Sequence, residues 1–231
     1  SVVIPSYNEA SSIIDTLKSI ECDGELVEVV VSDGGSTDGT CEAVLEASSS
    51  VLSPSKVEVR VVTGGSNRSE SLNCGFKHAT GDVLLFLHAD TVLPVGWAAE
   101  VRRMLARPEA ASSIGAFSFE LKEQVEGLEC VAWGTNLRSK LRQLPYGDQG
   151  LFMTRETFTL LGAGFPEVPF MEDYDFVKMA QAYGPVLTSD LAVKTSARRW
   201  LINGHVWNTV MNQIILFGNA VGVPRSNLGR W

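Results

Sequence analysis

The sequence is poor in cysteine, in basic charge and in long apolar runs, and each shortage removes a class of protein. Its four cysteines, Cys22, Cys41, Cys74 and Cys130, form no Cys-x-x-Cys pair and have no histidine at zinc-finger distance, so neither a structural zinc site nor a dithiol redox motif is expected. Buried or free thiols in a reducing compartment are the expectation; the compartment is otherwise unread, with the cytoplasm favoured. Lys and Arg number 19 against 27 Asp and Glu, a net charge of -8, which argues against a nucleic-acid or anionic-membrane surface. Arg138, Lys140 and Arg142 are the nearest thing to a basic cluster, and they read as a mostly solvated helix end. No run of 18 apolar residues exists. The closest approach, Val206 to Val223, is broken by Asn208, Asn212, Gln213 and Asn219, so no transmembrane segment is expected. The absence of Gly-x-Gly-x-x-Gly argues against a dinucleotide site, and the absence of Gly-x-x-x-x-Gly-Lys-Ser/Thr removes the usual ATPase.

What is present is a chain of 231 residues, 45% hydrophobic, long enough to bury a sizeable core. Apolar runs at Ser1–Ile4, Val27–Val31 and Asp82–Leu87 and an alternating stretch at Val57–Val62 read as strands, the first stopped by Pro5. Helical spacing follows Ile13, the loop ending at Thr40, and Ser69. Strand and helix alternate four times in about ninety residues, the rhythm of a parallel sheet with right-handed crossovers. Beyond Pro94 the rhythm changes. Helices are expected over 96–105, 124–141, 156–161 and up to Gln181, with a last one over 201–220. An antiparallel strand is expected over 113–121, a short strand over 150–154, and two strand pieces at 186–187 and 191–193. One domain, 1–231, is the economical reading: a nucleotide-binding half, 1–93, and an acceptor and catalytic half, 94–231.

Three polar clusters follow successive strands: Pro5-Ser6-Tyr7-Asn8-Glu9, Asp33 to Asp38, and His88-Ala89-Asp90. In an open α/β sheet the carboxyl ends of the strands border one crevice, and ligands bind there. Asp33 is placed to accept a base N–H, Tyr7 offers a ring for stacking, and a cation at Asp90 would neutralise a diphosphate. His88 and Asp90 together suit Mn²⁺ or Mg²⁺, or they are merely a polar loop. Ser36 and Asp38 are equally candidate helix caps, and Arg68 is either a surface residue or a cation beside the nucleotide.

In the second half, Glu172-Asp173-Tyr174-Asp175 opens a helix, where acidic side chains also favour the dipole. Phe170 and Met171 beside them supply apolar surroundings that tune a general base. Arg198-Arg199-Trp200 pairs two cations with a large ring, fit to clamp a diphosphate or simply to pack a turn. Trp207, Val210, Met211, Ile214, Ile215, Leu216 and Phe217 give the last helix an apolar face, read as core packing or a homodimer contact, with peripheral membrane attachment as the lesser alternative.

Taken in order, these clusters resemble family 2 glycosyltransferases of the GT-A fold over nearly the whole chain. Pro5–Glu9 is similar to that family's opening motif and Ser32–Asp38 to its second acidic loop. Gly81–Asp90 is similar to its Asp-x-Asp strand, and Glu172-Asp173 to its Glu-Asp motif. His88–Thr91, Tyr146–Gly150, Met171–Asp173, Thr195–Trp200 and the terminal Arg-Trp further resemble one bacterial-type subfamily associated with radical-SAM and selenium-domain genes. The resemblance implies inverting transfer of a sugar from a nucleotide-diphosphate donor, UDP first, to an unknown hydroxyl. It implies base binding by Asp33, a divalent metal and the diphosphate at Asp90 with His88, catalysis by Asp173 with Glu172, and a mobile segment carrying Arg198, Arg199 and Trp200. His88 replaces the first carboxylate of Asp-x-Asp, Gly34 replaces an acid found in many relatives, and Ser196 stands where processive relatives carry Gln or Arg, so processive synthesis is not expected. The alternatives are a nucleotide-sugar-binding protein that lost turnover and a nucleotidyltransferase, the latter lacking its glycine-rich loop after the first strand.

Overall fold

The computed structural model describes residues 1–20, 26–50, 56–107, 113–123, 125, 127–223 and 225. Four strands run in parallel through its first part: β1 (Val2–Ser6), β2 (Val27–Asp33), β3 (Val57–Thr63) and β4 (Val83–Phe86). Helices α1 (Ile13–Ser19), α2 (Thr40–Ser50) and α3 (Arg68–His78) connect them. The alternation along β1 and β2 decides which core each side chain enters. Val2, Ile4, Val29 and Val31 face Ile13, Leu17 and Val44, while Val3 and Val30 turn to the other layer with Leu72, Phe158 and Phe176. Both faces are covered, which is why these strands read as unbroken apolar runs.

The eight-stranded sheet has the order β3-β2-β1-β4-β7-β6-β8-β5. Its far half is built from β5 (Thr91–Val92), β6 (Ile114–Leu121), β7 (Leu151–Thr154) and β8 (Val186–Thr195), with α4 (Trp97–Leu105), α5 (Glu129–Arg142), α6 (Arg155–Leu160) and α7 (Glu172–Ala180). The chain leaves β1 towards β2 and β3, then returns to place β4 on the opposite side of β1. That reversal opens a crevice outside the carboxyl ends of β1 and β4. Because β7 is antiparallel to β4, with Phe86 opposite Leu151, the segment entering β7 lies at the same end. β6 and β8 run parallel and pair Leu121 with Thr195, so their carboxyl ends arrive there too.

Several expectations are revised. β1 does not stop at Pro5 but continues to Ser6, with Pro5 opposite Ser32 of β2. Pairing with β4 ends at Val3, and the missing Pro5 N–H points to that vacated side, so the ladder loses nothing. The strand over 113–121 is antiparallel to β7 but parallel to β8. β8 is one strand, not two pieces, with a register shift opposite Ala116 and Ser118. The helix expected over 124–141 spans Glu129–Arg142; residues 124 and 126 lie outside the description, as do Cys22 and the terminal Arg-Trp. The last helix is two, α8 (Arg198–Asn203) and α9 (His205–Ala220), broken at Gly204 with φ +79°. Its apolar face is not core, for Trp207 is 63% and Phe217 70% exposed. The three described cysteines are free, and no described helix is long and apolar enough to cross a membrane.

Candidate active site

The loops after β1 and β2 are laced together. Asn8 N–H donates to Ser36 Oγ at 2.8 Å, Thr37 N–H to Asn8 Oδ1 at 2.9 Å, Glu9 N–H to Thr40 Oγ1 at 2.9 Å and Ala10 N–H to Asp38 Oδ2 at 3.0 Å. Ser36 and Asp38 therefore knit two loops and do more than cap one helix. Asp33, 5% exposed, holds the second loop from inside. Its Oδ1 accepts from Ser6 and Ser36 hydroxyls at 3.0 and 2.6 Å, its Oδ2 from the Gly35 and Ser36 N–H groups at 2.9 and 2.8 Å. Burial works to raise this carboxyl, but the Ser36, Ser6 and Gly35 hydrogen bonds outweigh it and hold Asp33 below its ordinary value. Tyr7 stands 63% exposed at the rim.

After β4, Ala89 is buried and His88 and Asp90 diverge. Burial raises the Asp90 carboxyl, Glu9 adds to the rise, and Arg198 and Lys122 oppose it. Arg198 Nη2 donates to Glu9 Oε1 at 2.7 Å. His88 instead lines a pocket with Gly147, Glu172, Asp173 and the apolar Leu72, Phe86, Leu151 and Phe165. Among the described residues no group of three His, Cys, Asp or Glu side chains gathers to hold a metal. One carboxylate is nevertheless enough where a substrate diphosphate supplies other oxygens to Mg²⁺, and Asp90, half-buried with its charge undercompensated, fits that part.

The opposite wall comes from α7 and the turn before β7. Met171, at φ +64°, is strained into the left-handed region just before Glu172. Glu172 is 2% exposed; burial and then Asp173 raise its carboxyl, while Arg68, 3.5 Å away, lowers it. Arg68 thus meets a buried carboxylate, one that also lines the pocket of His88 and Asp173. Asp173 is more open and accepts the Gly147 N–H at Oδ2 and the Tyr174 N–H at Oδ1, both at 2.7 Å. The glycine has no room for a side chain: a Cβ there would lie 3.0 Å from His88 Nε2 and 3.2 Å from Asp173 Oδ2.

Sequence reasoning missed what builds this turn. Gln149, wholly buried, accepts at Oε1 from Ser139 Oγ at 2.7 Å and Tyr146 N–H at 3.3 Å, and donates Nε2 to the Phe117 carbonyl at 2.9 Å. Arg138 is no solvated helix end: it lies 3.5 Å over the Tyr146 ring and donates to the Leu144 carbonyl. The two glycines of Tyr146–Gly150 were the available signal. Trp200 meets Phe119 edge-on, and its Nε1 is buried without a hydrogen-bond partner among the described residues. The Arg199 side chain falls outside the description.

The model of glycosyl transferase family 2 matches residues 1–156. The chain belongs to that family. It is 35% identical over 98 residues to the undecaprenyl-phosphate 4-deoxy-4-formamido-L-arabinose transferase of Edwardsiella ictaluri (strain 93-146), a match covering 41% of the chain and 30% of the relative. It is similar in structure to the mannosyltransferase PcManGT from Pyrobaculum calidifontis in complex with GDP-Man and Mn²⁺, with a TM-score of 0.64 and 27% identity over 84% of this chain and 55% of that one. S. aureus TarS 1-349 in complex with UDP-GlcNAc shares the fold, with a TM-score of 0.65 and 20% identity over 84% of this chain and 57% of that one. The chain thus spans less than two thirds of the length of each of these proteins. Its sheet is the curled, mostly parallel sheet of GT-A enzymes. The family match ends before α7, so Glu172 and Asp173 lie beyond it.

Proposed function

We propose that the chain is an inverting, metal-assisted glycosyltransferase that moves a sugar from a nucleotide-diphosphate donor, UDP first among the bases, to a hydroxyl acceptor. The observation that carries this reading is the convergence of three carboxylates on one crevice, each in a different state. Asp33 is anchored in a loop, Asp90 is half-buried beside cations, and Asp173 is open at the head of α7. In this reading the base lies by Tyr7 and gives its N–H to Asp33 in place of a serine hydroxyl. Pro5 and Glu9 shape the same wall, and Arg68 reaches it through Glu172. Asp90 would hold Mn²⁺ or Mg²⁺, whose charge offsets that developing on the departing diphosphate. Arg198 exchanges Glu9 for the diphosphate, Arg199 and Trp200 close beside it, and the indole N–H finds its partner there. Asp173 takes the acceptor proton from the face opposite the leaving group, which inversion requires.

The chain reads as one domain with its nucleotide side in 1–93 and its acceptor side in 94–231. The finer likeness, to the subfamily associated with radical-SAM and selenium-domain genes, rests on the Tyr146–Gly150 and Thr195–Trp200 motifs. The exposed face of α9 is where a second copy would dock. Thermal unfolding with UDP, GDP or dTDP, each with and without Mn²⁺, tests the donor class. A ligand of the folded state at a hundredfold excess over its Kd stabilises by roughly 2.7 kcal/mol. A shift with one diphosphate that Mn²⁺ enlarges is expected; no shift with any of them would sink the reading.

A further inference from the structure

The histidine that replaces the first carboxylate of Asp-x-Asp does not share the surroundings of Asp90. The charges that govern Asp90 are Glu9, Arg198 and Lys122. His88 lies instead in the pocket of Glu172 and Asp173, walled by Phe86 and Phe165. Its Nε2 and Asp173 Oδ2 converge on the point above Gly147 where a side chain would begin, 3.0 and 3.2 Å from it. A residue without Cβ at 147 is what leaves room for imidazole and carboxylate to approach the same point.

We infer that His88 is a positioning residue for Asp173, on the acceptor side of the crevice, and not a ligand of the donor's metal. This rests on the reading of Asp173 as the base. The Gly147 and Tyr174 N–H groups fix the two carboxylate oxygens from the backbone, and a base must also present one lone pair to one hydroxyl. The imidazole closes the remaining side and limits rotation of the carboxylate, and small misplacements of such a group are costly. The choice of residue follows from charge. A carboxylate in place of His88 would put a third acid beside Glu172 and Asp173, whereas an imidazole brings no negative charge.

The test uses the full chain and Mn²⁺ with UDP or GDP as the probe, followed by the Mn²⁺ electron paramagnetic resonance signal. Asp90→Asn is expected to weaken Mn²⁺ uptake about tenfold or more, while His88→Ala and Gly147→Ala stay within about twofold of the wild type. In parallel, the ¹³C carboxylate resonance of Asp173, assigned through Asp173→Asn, is expected to move in His88→Ala and Gly147→Ala and to be restored in His88→Gln, which returns an amide near Nε2. If His88→Ala loses Mn²⁺ as Asp90→Asn does, or leaves the Asp173 resonance in place, the inference is overturned and the transferase reading stands. If the wild type takes up no Mn²⁺ with either nucleotide, the donor reading falls and the inference with it.

Discussion

Arg198 donates to Glu9 at 2.7 Å across 189 residues of chain, so the loop after the first strand and the helix after the last are joined at the mouth of the crevice. Glu9 spends its other oxygen on the Ser12 hydroxyl at 2.6 Å. It also adds to the rise in the Asp90 carboxyl, which Arg198 opposes. Without donor, one exposed cation serves two acids. With donor, the same cation is worth more to a diphosphate, because bidentate guanidinium–phosphate pairs are among the stronger charge-assisted contacts.

Arg198→Ala is therefore expected to weaken binding of UDP or GDP with Mn²⁺ by about tenfold. Glu9→Gln, which releases the arginine and unburdens Asp90, should leave affinity unchanged or improve it. Both variants should lose no more than about 1 kcal/mol of stability, since the arginine is half exposed. Titration calorimetry reads the affinities; a loss of affinity in Glu9→Gln equal to that in Arg198→Ala would show that the pair itself shapes the site.

Asp173→Asn keeps the shape and, through its one amide oxygen, one of the two backbone contacts, and removes the base. Transfer should fall by roughly 10²–10⁴-fold, with binding of the nucleotide diphosphate and Mn²⁺ intact. Unchanged transfer would move the base elsewhere in the crevice. Glu172→Gln is a different case, since its side chain is buried against Arg68: thermal stability should change before donor affinity does.

The parallel half of the fold was legible because its signals are local. Val27–Val31 is a mostly apolar run and Val57–Val62 an alternating one, and their pairing follows from the crossover rule. Tyr7, Glu9, Asp33, His88 and Asp90 stood out as candidates for the same reason: each lies at or just beyond the carboxyl end of a strand. What was not legible depends on partners far along the chain. Pro5 reads as a stop until it is known that β4 has already left its side of β1. Asp33 reads as a free carboxylate until Ser6 and Ser36 are seen to fill its oxygens. Gln149 looks like any loop glutamine, and only the fold brings Ser139 and Phe117 to it. The apolar face of the last helix was visible, but periodicity does not distinguish a face buried in the core from one left open.

Gln149→Leu keeps the volume and deletes the hydrogen bonds. The Ser139 hydroxyl keeps the Thr135 carbonyl at 2.9 Å, but the Phe117 carbonyl and the Tyr146 N–H lose this partner, at an expected cost of about 2–4 kcal/mol, read as a lower urea midpoint with unchanged m-value. The turn it holds carries the Gly147 N–H to Asp173, so turnover should fall further than donor affinity. Equal losses in both would place the damage in the whole crevice.

Glu100 predicts a specific acid response. Arg103 donates to both its oxygens at 2.7 and 2.8 Å, and Ser189 on β8 donates at 2.7 Å. The Arg103 hydrogen bonds dominate over the opposing effect of burial and lower the carboxyl from 4.5 to about 2. The unfolded chain therefore takes up this proton first as pH falls. The stabilisation is complete above about 4.5 and drains away between there and about 2. Discounted for the exposed arginine, Glu100→Gln should cost about 1–2 kcal/mol at pH 7. The gap from the wild type should narrow at pH 3 in urea unfolding; a gap that stays constant with pH would mean packing, not charge, is what the glutamate supplies.

The face of α9 predicts self-association. Trp207, Val210, Ile214, Phe217 and Val221 are all exposed and recur at steps of three and four, the spacing that seats one helix against another. No Asp, Glu, Lys or Arg lies between His205 and Ala220, so two acidic chains meet there without like-charge repulsion. An anionic bilayer has less to hold, because the polar side of the helix carries amides where membrane-surface helices carry Lys and Arg. Light scattering after size exclusion should give a dimer for the wild type at micromolar concentration and a monomer for Trp207→Lys/Phe217→Lys, with the melting temperature changed little because neither side chain is core. A wild type that stays monomeric while sedimenting with anionic vesicles would assign the face to membrane instead.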